Sequence, residues 1–219
     1  ATGRMIGFEE KPKFPKCIPG DPEHALVSMG NYIFEAQTLY RELHSDAESI
    51  SSTHDFGRDI IPDMFPREKV YVYDFSTNHI SGEQSEAYWR DVGNLDAYWQ
   101  TNMDLIADKP KFYLYNPSWA LHTYYPPLPP AAFLDTESHQ TKISQSMISA
   151  GSSIKGATVD HSILGFNCEV DCGTKICDSV LLGDVKIGDG CRIRRAIIDK
   201  HVEIAPGVVI GEDPEQDRN

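Results

Sequence analysis

With 219 residues, 40% of them hydrophobic and 10% aromatic, the chain can bury a core in one large domain or two modest ones, which excludes a disordered tail. A formal net charge of -13 argues against nucleic acid or anionic lipid as the main partner, so any phosphate handled here must be met by local basic groups. No apolar run approaches the roughly 20 residues of a membrane helix, and the first residues do not read as a signal peptide, which points to a cytoplasmic protein without a membrane partner.

In chain order, "MIGFEE" (5–10) and "ALVSMGNYIF" (25–34) read as strands. "EAQTLYRELHSDAES" (35–49) predicts a helix with Leu39, Tyr40 and Leu43 on its apolar face. Within "SSTHDFGRDIIP" (51–62), Asp55 is a candidate cap for a following helix. "KVYVYDF" (69–75) alternates as a strand should. "NLDAYWQTNMDLIA" (94–107) predicts another helix, with Asn94 as its N-cap and Leu95, Tyr98, Trp99 and Met103 along one face. Strands alternating with helices over residues 1–125 suggest an α/β sheet, although no Gly-rich phosphate loop accompanies them. Residues 126–139, opening "PPLPPAAFLDTES", predict an extended linker, because Pro fixes φ and cannot join a ladder.

From residue 140 onward the period changes. Ile148, Ile154, Val159, Leu164, Val170, Ile176, Leu181, Ile187, Ile193, Ile198, Ile204 and Ile210 recur at gaps of five or six, which neither a helix nor a strand gives. Three beats span about 17 residues, so Ile176 should lie under Ile193, and Ile193 under Ile210. That is the mark of a β-helix with triangular coils, each side contributing one short strand and one inward aliphatic. The twelve beats make about four coils over residues 140–219, and hexapeptide repeats of this kind are usually left-handed. The competing reading, an antiparallel sandwich, would not hold the gap so evenly. Gly165, Gly183, Gly188, Gly190 and Gly207 are placed at corners. A β-helix exposes edges at its ends, and oligomerisation commonly protects them.

The five cysteines, Cys17, Cys168, Cys172, Cys177 and Cys191, contain no C-x-x-C pair and read as reduced thiols filling small spaces. Three stretches invite chemistry. In "FEEKP", Lys11 is a compact cation suited to phosphate, and Glu10 can accept from hydroxyls. "SSTHDFGRDIIP" offers polar groups but also reads as ordinary capping. In "YWRDVGN", Asp91 could hold a hard cation such as Mg²⁺, yet one carboxylate is an incomplete site.

The order "FEEKP", "SMGNYIF", "HDFGRDIIP", "YWRDVGNLDAYW", "LPPAAF" and then a hexad β-helix containing "RRAIIDK" resembles the bacterial glucose-1-phosphate adenylyltransferases. The resemblance covers nearly the whole chain. It implies a nucleotidyltransferase sheet domain followed by a β-helix, and the reaction of ATP with glucose 1-phosphate to ADP-glucose and pyrophosphate, with Mg²⁺. It also implies roles. Glu10 looks like the sugar-hydroxyl ligand and Lys11 like the phosphate cation, while Ser28, Tyr32, Asp55 and Phe56 are similar to sugar-pocket residues. Trp89 looks like a pocket wall, and Asp91 resembles one of two metal-holding aspartates. "CRIRR", with Arg192, Arg194 and Arg195, is similar to a stretch that helps bind anionic effectors in a tetrameric enzyme. The family's G-G-x-G-T-R-L loop is not among these residues, which suggests the sugar-phosphate side without the nucleotide side, inactive when alone. Two alternatives remain: a non-catalytic regulatory subunit, and a hexapeptide acyltransferase using His161 or His201, for which no inserted loop is evident.

Overall fold

All twelve aliphatic beats lie in strands of a parallel β-helix in the computed structural model, which describes residues 3–82, 87–213, 215 and 217. The strands stack into three parallel sheets of five, five and four. On one face Ile154, Val170, Ile187 and Ile204 are in register; on the next, Val159, Ile176, Ile193 and Ile210; on the third, Ile148, Leu164, Leu181 and Ile198. Ile176, Ile193 and Ile210 therefore stack as their spacing predicts. At roughly 1.5–3 kcal/mol per buried aliphatic side chain, these columns form a core of their own.

The structure adds two beats. Ile143 pairs with Val159, and Phe133 pairs with Ile154, so fourteen strands at three per coil make nearly five turns. The strand Ala132–Leu134 falls inside the stretch read as a linker, so the extended part ends before it. The Pro-rich half, where no amide hydrogen is available to a ladder, is the part that stays irregular.

A second inward position accompanies each beat, two residues earlier. Ser152, Ala157, Ser162, Cys168, Thr174, Ser179, Val185 and Cys191 are all buried. Their small size lets the backbone turn inward, and the hydroxyls also bond between coils. Ser179 N donates to Ser162 Oγ at 3.1 Å, Ala196 N to Ser179 Oγ at 3.2 Å, and Cys191 N to Thr174 Oγ1 at 3.1 Å. Buried amides are thereby satisfied without water. Cys168 and Cys191 occupy such positions as buried free thiols.

Corners turn through left-handed residues stacked above one another. His161, Asp178 and Arg195 share one corner at φ of 45°, 51° and 49°, and Gly156, Gly173, Gly190 and Gly207 share another. Gly190 and Gly207 thus turn corners as expected, whereas Gly165, Gly183 and Gly188 keep ordinary φ. Gly188 is required instead by close approach, since a Cβ there would lie 2.8 Å from Pro206.

The β-helix belongs to a compact unit of residues 78–219. In the same unit, the helix Leu95–Leu105 is capped by Asn94, whose side chain accepts from Ala97 N at 2.8 Å. Met103 and Ile106 pack with Val180, but Leu95 is exposed, so the apolar stripe is shorter than its spacing predicts. Trp99 Nε1 donates to the Asp178 carbonyl at 2.7 Å, tying this helix to the β-helix wall.

Residues 1–77 form the other unit. Its helix Ala36–Ala47 starts at Glu35, whose carboxylate accepts from Gln37 N and Thr38 N. The buried face differs from the expected one. Tyr40 and Leu43 are exposed, while Glu42 is buried by a bidentate contact with Arg67. The paired charges, one carboxylate against a fork of donors, make that burial tolerable. The expected strands at 5–10, 25–34 and 69–75 do not form ladders. Among the described residues, the first and third meet at a short antiparallel bridge, Arg4–Tyr71 with Met5 N donating to Val70 O at 2.9 Å, and Ile6, Val27 and Ile33 are exposed. Alternation supplies an apolar edge, but a strand also needs a neighbour for its amides, and here the neighbour is one bridge long. The α/β sheet read from residues 1–125 is accordingly not formed among the described residues of this unit.

Candidate sugar-phosphate site

The unit of residues 1–77 brings the sequence-selected residues together around the turn at 55–57. Asp55 has extended backbone, and its carboxylate accepts from Arg58 N at 2.8 Å, capping the short helical turn Phe56–Ile60. Asp55 is therefore a cap, as its position predicts. Gly57 follows, and a Cβ on it would stand 2.5 Å from Glu10 Oε2. With no side chain at Gly57, the Glu10 carboxylate lies directly against this turn; a Cβ there would push the end of the Glu10 side chain aside. "FEEKP" and "HDFG", with Glu10 and Asp55 45 residues apart in sequence, are thus neighbours.

Aromatic packing sets the other wall. The Tyr32 and Phe56 rings stack with centroids 6.0 Å apart and an interplanar angle of 24°, and Phe34 packs on Phe56 at 5.8 Å. Such offset pairs hold one another's rotamers. Ser28 Oγ and Tyr32 Oη share a hydrogen bond of 3.0 Å. Lys11 Nζ is 3.3 Å from Glu10 Oε1, with its side chain otherwise in water. Its backbone is left-handed (φ 44°), an uncommon conformation for a residue bearing a Cβ. Glu10, Lys11, Ser28, Tyr32, Asp55 and Phe56 thus supply a carboxylate, a cation, hydroxyls and a flat apolar wall, the groups a phosphorylated sugar calls for.

Trp89 and Asp91 lie in the other unit and are described there. Tyr88 Oη and Arg90 both donate to Asp104 Oδ2, at 3.0 and 2.6 Å, which orients the segment. Trp89 and Asp91 remain exposed. The Asp91 carboxylate accepts from Gly93 N at 3.1 Å. Among the described residues no group of three or more His, Cys, Asp or Glu is placed to hold a metal ion. Asp91 offers one carboxylate, and Mg²⁺ is commonly held by one or two carboxylates together with waters and substrate phosphates.

The arginines sit as the β-helix predicts, Arg192 and Arg194 outward about inward Ile193, and Arg195 at a corner. Each has company. Arg192 pairs with Glu212 at 2.9 Å, Arg194 Nε is 3.9 Å from Asp178, and the Arg195 guanidinium lies 5.5 Å from the Trp99 ring centre. A shallow cavity of about 280 Å³ beside them is lined by Lys175, Arg194, Asp160, Asp178 and Glu212. His161 and His201 hold corner positions against Asp178 and Asp184, on coils of regular length.

Sequence reading missed Phe34, Gly57 and the groups behind the turn, Asp46, His54 and Asp59. His54, Gly57 and Asp59 lie in the dense polar run "SSTHDFGRD", whose spacing reads as capping; Phe34 and Asp46 carry no such local signal.

Comparison with known proteins bears on the same residues. The nucleotidyl transferase family model matches residues 1–108, and that of the GlmU-like C-terminal hexapeptide matches 129–219. Glucose-1-phosphate adenylyltransferase of Photobacterium profundum is 62% identical over 217 residues, covering 99% of this chain and 54% of its own length. Glucose-1-phosphate adenylyltransferase 1 of Vibrio parahaemolyticus is 57% identical over all of this chain and 54% of its own. The Anaeromyxobacter enzyme of the same name is 46% identical over 99% of this chain and 54% of its own. The chain spans about half the length of the curated relatives it matches. A nucleotidyl-transferase stretch, a hexapeptide β-helix and identity of this level across essentially every residue place the chain in the glucose-1-phosphate adenylyltransferase family.

Proposed function

We propose that this chain carries the glucose 1-phosphate side of a nucleotidyl transfer in which ATP and glucose 1-phosphate give ADP-glucose and pyrophosphate. The observation that carries the reading is the cluster of Glu10, Lys11, Ser28, Tyr32, Asp55 and Phe56 around Gly57. In this reading Glu10 and Asp55 accept hydrogen bonds from sugar hydroxyls, and the Tyr32–Phe56 pair covers an apolar face of the ring. Lys11 draws the sugar phosphate into line. A phosphate oxygen of the sugar then bonds to the α-phosphorus of ATP, and the bond from that phosphorus to the β-phosphate oxygen breaks, releasing pyrophosphate. No protein nucleophile takes part; positioning and charge neutralisation supply the acceleration. By the family resemblance, Trp89 is assigned to the sugar pocket and Asp91 to one oxygen ligand of Mg²⁺, which would supply charge neutralisation when bound.

The domain assignment follows the same reading: catalytic residues up to about 125, and a left-handed β-helix that regulates and assembles a cytoplasmic homo-oligomer. Among the described residues no helix is long and apolar enough to cross a membrane. Of the three arginines assigned to anionic effectors, Arg194 has the loosest acidic partner and is the best placed to exchange it for a ligand.

The test is steady-state kinetics on the full-length enzyme containing this stretch. Lys11→Ala should raise the glucose 1-phosphate KM by roughly a hundredfold, as loss of a charge-assisted phosphate contact does, and the ATP KM by less than about threefold. An unchanged glucose 1-phosphate KM would remove Lys11 from the site and the reading with it.

A further inference from the structure

Two carboxylates stand behind the 55–57 turn, and the hydrogen bonds they make reach none of the side chains assigned to the sugar. Asp46 lies in the last turn of the helix Ala36–Ala47, where a negative charge opposes the helix dipole. Its presence there is explained by what it holds. Ser52 Oγ donates to Asp46 Oδ1 at 2.5 Å, and His54 Nδ1 meets Oδ2 at 2.7 Å. Facing a carboxylate, that ring nitrogen is the donor. Asp59 takes the alternate residues: Thr53 N at 3.1 Å, Thr53 Oγ1 at 2.5 Å and Asp55 N at 3.2 Å. Four consecutive residues, Ser52 to Asp55, are therefore each fastened to one of two carboxylates. Both carboxyls are held below the usual aspartate range, Asp46 by Ser52 and His54, and Asp59 chiefly by Thr53.

The fastening matters because of the backbone it secures. His54 has φ of 59°, a left-handed conformation that a residue with a Cβ adopts only when its surroundings impose it. Residue 54 immediately precedes Asp55, so the His54 conformation decides where the Asp55 carboxylate and the Phe56 ring point. Releasing the His54 ring from Asp46 would remove one of the contacts that impose this conformation just ahead of Asp55 and Phe56.

We infer that Asp46, acting through His54, is a positioning residue for the sugar phosphate, holding the 52–57 turn in its receptive shape before ligand arrives. The inference rests on the sugar-phosphate reading above. It concerns affinity for one substrate and leaves the reacting atoms to other groups.

Three variants of the full-length enzyme test it. Asp46→Ala should raise the glucose 1-phosphate KM about tenfold, the size of one lost charge-assisted hydrogen bond, with kcat and the ATP KM within about twofold. Asp46→Asn, which keeps an acceptor for one of its two donors, should recover part of that loss. His54→Gly separates anchoring from folding, because glycine accepts a φ of 59° freely while removing the ring. It too should raise the glucose 1-phosphate KM severalfold, even if Asp46→Ala proves too unstable to assay. Lys11→Ala run alongside distinguishes the two ideas. A raised glucose 1-phosphate KM in Lys11→Ala, with none in Asp46→Ala and His54→Gly, would overturn the positioning role and leave the site standing. No effect in any of them would overturn the site itself. Equal losses in kcat and in both KM values for His54→Gly would mark a general structural role and refute the inference.

Discussion

Ile193→Ala perturbs the β-helix where its logic is most exposed. Ile193 is 2% exposed and stacks in register between Ile176, fully buried, and Ile210, half-buried in the last coil. The change removes three carbons, a transfer loss of about 2.4 kcal/mol at roughly 0.8 kcal/mol each, to which an unrelaxed cavity adds. The last coil can settle inward over the gap, so the total should fall in the lower half of the usual 2–5 kcal/mol, about 2.5–3.5 kcal/mol. Ile176→Ala, one coil deeper between Val159 and Ile193, has no free end to settle and should cost more, about 3.5–5 kcal/mol. Arg194→Ala, the next residue but outward, loses only a 3.9 Å approach to Asp178 on a side chain 62% exposed, and should stay within about 0.5 kcal/mol. Urea melts of the three variants, followed by circular dichroism, give the comparison. Equal destabilisation by Ile193→Ala and Arg194→Ala would mean the inward and outward faces are misassigned. An Ile176→Ala cheaper than Ile193→Ala would contradict nearest-neighbour stacking.

Purified by itself, the 219-residue chain should form no ADP-glucose from ATP, glucose 1-phosphate and Mg²⁺, since the G-G-x-G-T-R-L motif is not among its residues; turnover above a heat-killed control would refute this. Asp46 and Asp59 have folded pKa values below their unfolded ones, so their contribution to stability is whole above the unfolded value, about 3.9, and fades as pH falls through the lower folded values. Thermal midpoints of the 1–77 unit should therefore hold down to about pH 4 and drop below it, with a shallower drop in Asp46→Asn. In the full-length enzyme Arg194→Ala should weaken activation by an anionic metabolite several-fold and leave unactivated turnover nearly intact, as an activator titration will report.

The β-helix was legible because each coil repeats one demand, an inward aliphatic per face, and the sequence answers at a constant interval. Its outer coil was less so. Phe133 is half-exposed and follows a proline run, so its local signal was a linker, and only pairing with Ile154 makes it a strand. The inward residues two before each beat escaped notice because serine, threonine, alanine and cysteine look alike only in size. Their common property is being small enough to sit inside a corner, a tertiary fact. In residues 1–77 the failures have a different cause. Periodicity marks where apolar side chains could gather, yet Glu42 takes the buried face of its helix by pairing with Arg67, 25 residues on. No local window contains that partner.

The sugar-phosphate cluster shows the same division between local and distant causes. Taken singly, "FEEKP" is a plausible solvated strand end and "HDFG" a plausible cap, and Asp55 does cap. What distinguishes the cluster from two such ends is that they meet, with the Glu10 carboxylate resting where a Cβ on Gly57 would stand. A glycine after a cap is unremarkable in sequence, because many turns tolerate one. Here it borders a carboxylate brought from 47 residues upstream, with a lysine beside it, near the Tyr32–Phe56 pair. A resemblance in the order of motifs identifies the family but cannot supply this contact. The contact, in turn, gives a physical reason why the motifs are found together: the Glu10 carboxylate, the Lys11 cation and the Tyr32–Phe56 wall fall into one cluster about the Gly57 turn, which no one of the motifs contains by itself.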